Sequence, residues 1–114
     1  MKIIENDIIP FNGFAAVNLF GVLFVRRGVN VSDRLLRHEM IHSKQMRELS
    51  AIVFYVWYLI EWLIRLLVYW NAVKSYRNIS FEREAYANES DLLYLKDRRP
   101  FAFLRYIFKK NETL

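Results

Sequence analysis

Residues 32 to 49 read Ser32-Asp33-Arg34-Leu35-Leu36-Arg37-His38-Glu39-Met40-Ile41-His42-Ser43-Lys44-Gln45-Met46-Arg47-Glu48-Leu49, and the rest of the chain is arranged around this stretch. Ser32 has the chemistry of an N-cap and Asp33 suits a first turn, so a helix is expected to start here. At about 100° per residue, Leu35, His38, Glu39, His42, Met46 and Leu49 fall within an arc of roughly 100°. The apolar members mark that arc as the face turned to the core. Two imidazoles and a carboxylate on such a face cost several kcal/mol unless bonded partners satisfy them.

His38 and His42 are the only two histidines in the chain, and with Glu39 they form an H-E-x-x-H pattern. Side chains four apart on a helix lie one above the other, so both imidazoles can reach one ion while the adjacent glutamate reaches a bound water. Such a constellation is the core of a zinc hydrolase site. The bland alternative keeps the histidines as core residues bonded to backbone carbonyls and Glu39 on the surface. The buried stripe favours the metal.

With no third histidine and no cysteine, a third strong zinc ligand must be Asp or Glu. Glu82 lies in Ser80-Phe81-Glu82-Arg83-Glu84-Ala85-Tyr86-Ala87-Asn88-Glu89, which reads as a helix capped by Ser80. Helical projection puts Phe81, Glu82, Ala85, Tyr86, Glu89, Leu92 and Leu93 on one side and Arg83, Glu84, Asn88 and Asp91 on the other. Glu82 and Glu89 therefore face inward, although a glutamate at that place also suits the positive end of a helix dipole. Glu61 is the rival, following His42 with eighteen residues between them. No Gly or Pro occurs between Gly28 and Pro100, and only Ser50 breaks residues 33 to 70. Were that stretch one helix, Glu61 would lie roughly 28 Å from His42, and its simpler role is an i,i+4 partner for Arg65. The order of preference is Glu82, then Glu61, then Glu89.

H-E-M-I-H at 38 to 42 followed by F-E-R-E-A-Y at 81 to 86 resembles the gluzincin-type zinc metallopeptidases, in which a glutamate three residues before an alanine on a second helix completes the site. More widely, Gly13 to Tyr106 is similar to small bacterial proteins, notably of Bacteroidetes, described as metallopeptidases. The resemblance implies a zinc site with Glu82 as third ligand and a peptide or protein as substrate. Several gluzincin groups carry Asp directly after the alanine to orient a ligand histidine, and here the position is Tyr86.

A length of 114 residues makes one domain, 1–114, with one modest core. Hydrophobic content of 54%, with 17% aromatic, is high for so short a chain, so something beyond a self-contained core is expected to cover apolar surface. The lack of cysteine excludes disulfides and thiolate ligands and fits a reducing compartment. Acidic residues in Met1-Lys2-Ile3-Ile4-Glu5-Asn6-Asp7 do not read as a secretion signal. The expected location is cytoplasmic, with membrane association open.

Residues 51 to 70, AIVFYVWYLIEWLIRLLVYW, are long enough to cross a bilayer core of about 30 Å. A span would place the histidines and Glu82 on opposite membrane faces, and Glu61 and Arg65 would each cost roughly 2.5 to 3.5 kcal/mol near its centre. A buried core helix or an interfacial helix with peripheral membrane contact is expected instead. Gly13 to Arg27, rich in Val, Phe and Leu and punctuated by Gly21, reads as a β-hairpin or pair of strands. In metallopeptidases of this kind an edge strand beside the motif helix holds extended substrate; plain core sheet is the equal alternative. Basic and aromatic residues interleave from Leu95 to Lys110, with Pro100 placed to open a short helix. Such a run could bind anionic lipid or single-stranded nucleic acid, but it reads more simply as a solvated rim over a small core, and no nucleic-acid partner is expected.

These readings combine into a mainly α fold with a small β-hairpin and a compact zincin-like helical core. His38, His42 and Glu82 are the expected ligands of a zinc ion, Glu39 the general base and Tyr86 a hydrogen-bond donor to the developing oxyanion. The alternative is a membrane-surface or partner-binding protein that keeps a structural or vestigial metal site, motivated by the aromatic helix and the net charge of +5.

Overall fold

Ser32 caps the first long helix, its hydroxyl accepting the Leu35 N–H at 3.1 Å, and α1 runs from Asp33–Leu49. In the computed structural model, which describes residues 1–9 and 16–109, α1 is followed by α2 (Ala51–Tyr69), α3 (Ala72–Arg77), α4 (Ser80–Asn88), α5 (Tyr94–Asp97) and a 3₁₀ helix (Ala102–Tyr106). Three strands precede them: β1 (Lys2–Asn6), β2 (Ala16–Leu19) and β3 (Val22–Arg26). The architecture is mainly α with a small sheet.

The expected hairpin is β2–β3, closed by Phe20 and Gly21, both at positive φ. Two such residues in succession make the tight turn that matches strand twist. Phe20 holds this costly conformation because its N–H donates to the Tyr55 hydroxyl at 2.9 Å and its ring packs edge-on against Tyr55. Residues 13 to 15, included in the expected hairpin, lie outside the described residues. The sheet has a further member that the hairpin reading lacks: β1 pairs with β3 in parallel, giving the order β1-β3-β2. β2 is thus an outer strand.

Ser50 breaks the helical run at φ 71, and its hydroxyl accepts from Val53 at the start of α2. Trp70 ends α2 in the left-handed region, its N–H bonded to Leu66 at 2.8 Å, where a glycine is more usual. These two turns fold the polypeptide back without Gly or Pro, so α4 reaches α1. Phe54, Ile79, Phe81, Phe103 and Met46 form the core between them.

Four expectations need correction. Ser80 does not cap α4 but is its first residue; its N–H and hydroxyl both donate to Glu61, at 2.6 and 2.7 Å. Glu84, projected to the outer side, is fully buried, because Arg98 and Tyr94 of the C-terminal segment cover that side of α4. Leu92 and Leu93 lie past the helix end and are exposed. The short helix near Pro100 begins at Ala102, after Phe101 takes a left-handed conformation.

Candidate metal centre

α1 delivers His38 and His42 from adjacent turns, and α4 delivers Glu82 across the core, all three buried. Glu82 Oε1 lies 3.0 Å from His38 Nε2 and 3.1 Å from His42 Nε2, and the two Nε2 atoms are 3.1 Å apart. A tetrahedral ion with bonds of about 2.0–2.1 Å separates its ligand atoms by roughly 3.3 Å. The triangle is close to that edge length.

The atoms behind this triangle fix which nitrogen carries a proton. Gln45 is fully buried, and its amide nitrogen donates to Phe81 O at 3.1 Å and Glu84 Oε1 at 3.0 Å, both pure acceptors. Its oxygen is therefore the atom 2.8 Å from His42 Nδ1, so that nitrogen donates. On His38, Nδ1 faces Glu89 Oε1 at 3.2 Å, and the other Glu89 oxygen pairs with Arg34. Both Nδ1 positions carry hydrogen, which leaves both Nε2 lone pairs aimed at Glu82 Oε1. Tyr58 occupies the second Glu82 oxygen at 2.7 Å, so the carboxylate offers one atom inward.

Three acceptors facing one another require a positive charge among them. In the metal-free protein a proton supplies it. Burial pulls the His42 pKa down, but the Glu82 charge and hydrogen bond, with help from Glu39 and Gln45, outweigh it and raise the value to about 9. Burial pushes Glu82 up, and the His42 charge with bonds from both histidines overcomes this and holds it well below the usual carboxylate range. A proton on one nitrogen can bridge to one partner well; three near-equal separations suit an ion that touches all three.

Glu39 points elsewhere. Its carboxylate makes no hydrogen bond among the described residues, and burial raises its pKa against the opposing charges of His42 and His38. It lines a cavity of about 370 Å³ together with His42, Glu82, Tyr55, Tyr58 and Tyr76, with the whole of β2 along one side. A buried, unbonded carboxylate of raised pKa beside such a triangle is placed to exchange protons.

Of the other residues singled out in the sequence, Glu61 lies away from the histidines: it holds the start of α4 through Ser80, accepts from Trp57 at 3.1 Å and pairs with Arg65 at 3.8 Å. Glu89 backs His38. The Tyr86 ring packs edge-on against His38 at 4.5 Å, and its hydroxyl meets that of Tyr76 at 3.0 Å. Sequence reasoning overlooked Gln45, Tyr58, Tyr76 and the Glu84–Arg98 pair. Gln45 was accessible, being three residues past His42 on the same helix; nothing local marks the others.

Comparison of the chain with known protein families, curated proteins and solved structures gives no match.

Proposed function

We propose that the chain is a zinc-dependent metallopeptidase. His38, His42 and Glu82 hold the ion and Glu39 is the general base. The observation that carries this reading is the convergence of two Nε2 lone pairs and one carboxylate oxygen within 3.1 Å, each oriented by its own buried partner. Structural metal sites are closed by a fourth protein ligand, whereas this triad borders a cavity and has no fourth ligand among the described residues. When bound, zinc supplies Lewis-acid polarisation of a carbonyl and a water acidified toward pH 7.

The chain's own groups provide the remaining chemistry. Glu39 takes a proton from the attacking water and returns it to the leaving amine; its raised pKa makes it a better proton carrier than an exposed glutamate. Tyr76 lines the cavity with its phenol kept protonated by burial and the Glu82 charge, so it can donate toward an oxyanion. Tyr86 supports it from behind. Along β2, the Asn18 carbonyl faces away from β3 and accepts from Tyr55 at 3.1 Å. An extended peptide would add to this outer edge by backbone hydrogen bonds and pass in front of Glu39.

The test is zinc content of purified protein together with a peptide-library digest by wild type and Glu39→Gln. Near-stoichiometric zinc in both, with cleavage by wild type alone, is expected. Zinc in both and cleavage by neither would favour a structural metal site in a binding protein.

A further inference from the structure

α2 is built inside out. Its exposed residues are Ile52, Val53, Val56, Leu59, Ile60, Leu63, Ile64, Leu67 and Val68, every one aliphatic and at least 46% exposed. Each α2 residue with a polar side-chain atom, from Tyr55 and Tyr58 to Glu61 and Arg65, is turned toward the domain. The aliphatic stripe occupies an arc of roughly 180° and runs the helix length, about 28 Å.

We infer that this face of α2 lies in the plane of an anionic lipid bilayer, immersed to the level of the acyl chains, with the metal site on the opposite side of the helix. The chemistry selects lipid over a protein partner. Protein interfaces carry about one hydrogen bond per 100–200 Å², and this stripe offers no side-chain polar atom with which to make any. Beside it, Ile107 closes an apolar groove with Ile52, Val56, Ile60 and Ile64. The one acidic residue there, Glu61, has its carboxylate engaged by Ser80 and Trp57. At the margins stand exposed Trp70 and Phe108, the aromatic types that settle at headgroup level. Cations accompany them: Arg47 just before α2, Lys74 just after it and Lys109 next to Phe108. The net charge of +5 has the sign that anionic headgroups attract.

A spanning orientation fits the same helix less well. A lone span is apolar all round, whereas one side of α2 carries Tyr55, Glu61 and Arg65 and is packed against the domain. An in-plane helix needs a single apolar face.

The inference does not depend on the metal. Flotation of the full chain with phosphatidylcholine vesicles, with and without phosphatidylglycerol, tests it. Binding is expected to be tighter to the anionic vesicles, to weaken with salt and to be released by alkaline carbonate. Leu63→Glu and Leu67→Glu should each weaken it by about tenfold or more, with helical circular dichroism and zinc content unchanged. In the unaltered chain, bromine-labelled acyl chains should quench tryptophan fluorescence, and Trp70→Phe should remove much of that quenching. Resistance to carbonate would overturn the in-plane reading in favour of a span. A dimer in light scattering that fails to float, or flotation indifferent to Leu63→Glu, would overturn it in favour of a second copy or another surface.

Discussion

Gln45 and His42 are joined by a 2.8 Å hydrogen bond whose direction is set from outside the pair, because Phe81 O and Glu84 Oε1 take both hydrogens of the Gln45 amide. Gln45→Leu keeps the volume but removes that acceptor, so His42 is free to turn. Partners behind a ligating histidine are worth about 10–100-fold in metal affinity, and a loss of that size is expected in chelator competition. Unchanged affinity would show that the amide only fills space.

In the proposed mechanism Glu39→Gln removes the base and no ligand. Turnover on peptides should fall by about 10²-fold or more, while zinc content and melting temperature stay near wild type. Equal cleavage by both proteins would remove Glu39 from the mechanism.

The three glutamates weighed as third ligand should separate by phenotype. Glu82→Ala is expected to release zinc, and Glu89→Ala to retain it with weakened affinity. Glu61→Ala should retain zinc but lose about 1–3 kcal/mol of stability, since the Ser80 N–H and hydroxyl lose their shared acceptor. Elemental analysis beside thermal melts reads all three, and loss of zinc from Glu61→Ala alone would reassign the third ligand.

Arg98 bonds Glu84 at 2.6 Å and Glu48 at 3.0 Å, with its side chain nearly inaccessible. Arg98→Met leaves the Glu84 carboxylate buried without its cation, which should cost about 3–5 kcal/mol. Denaturant unfolding measures it. A change below about 1 kcal/mol would mean that water or Tyr94 satisfies Glu84 unaided.

If His42 is a metal ligand as proposed, proton and metal compete there. Its folded pKa of about 9 lies above the ordinary 6.5. Its contribution to metal-free stability is therefore full below pH 6.5 and lost as the pH rises through 9. Apparent zinc affinity should accordingly climb by about tenfold per pH unit over that window and then level. A flat profile would indicate that no proton is displaced.

Much of this site was legible because helical spacing is local. His38, Glu39 and His42 share one face by arithmetic alone, and Ser32 marks where their helix starts. The same periodicity turned Glu82 inward together with Glu89, and the resemblance in spacing to Ala85 put Glu82 first. Glu84 was misplaced because periodicity reports one buried face, and α4 is covered on a second side by Arg98, fourteen residues away in sequence. β1 was missed since its partner β3 lies in a distant segment, and parallel pairing leaves no hairpin signal between them. Ser50 was legible as a break, but the sharpness of the turns was not: Ser50 and Trp70 take positive φ values that in most proteins are marked by glycine or asparagine.

The contact between His42 and Glu82 spans 40 residues of chain, all of α2 and α3 among them. An ion bound there would act as a cross-link in a polypeptide that has no cysteine to form one. Closing a loop of that size removes about 4 kcal/mol of unfolded-chain freedom if the link persists on unfolding; an ion lost on unfolding instead stabilises the fold according to its concentration. Zinc supply would then govern how long the folded protein survives as well as whether it reacts.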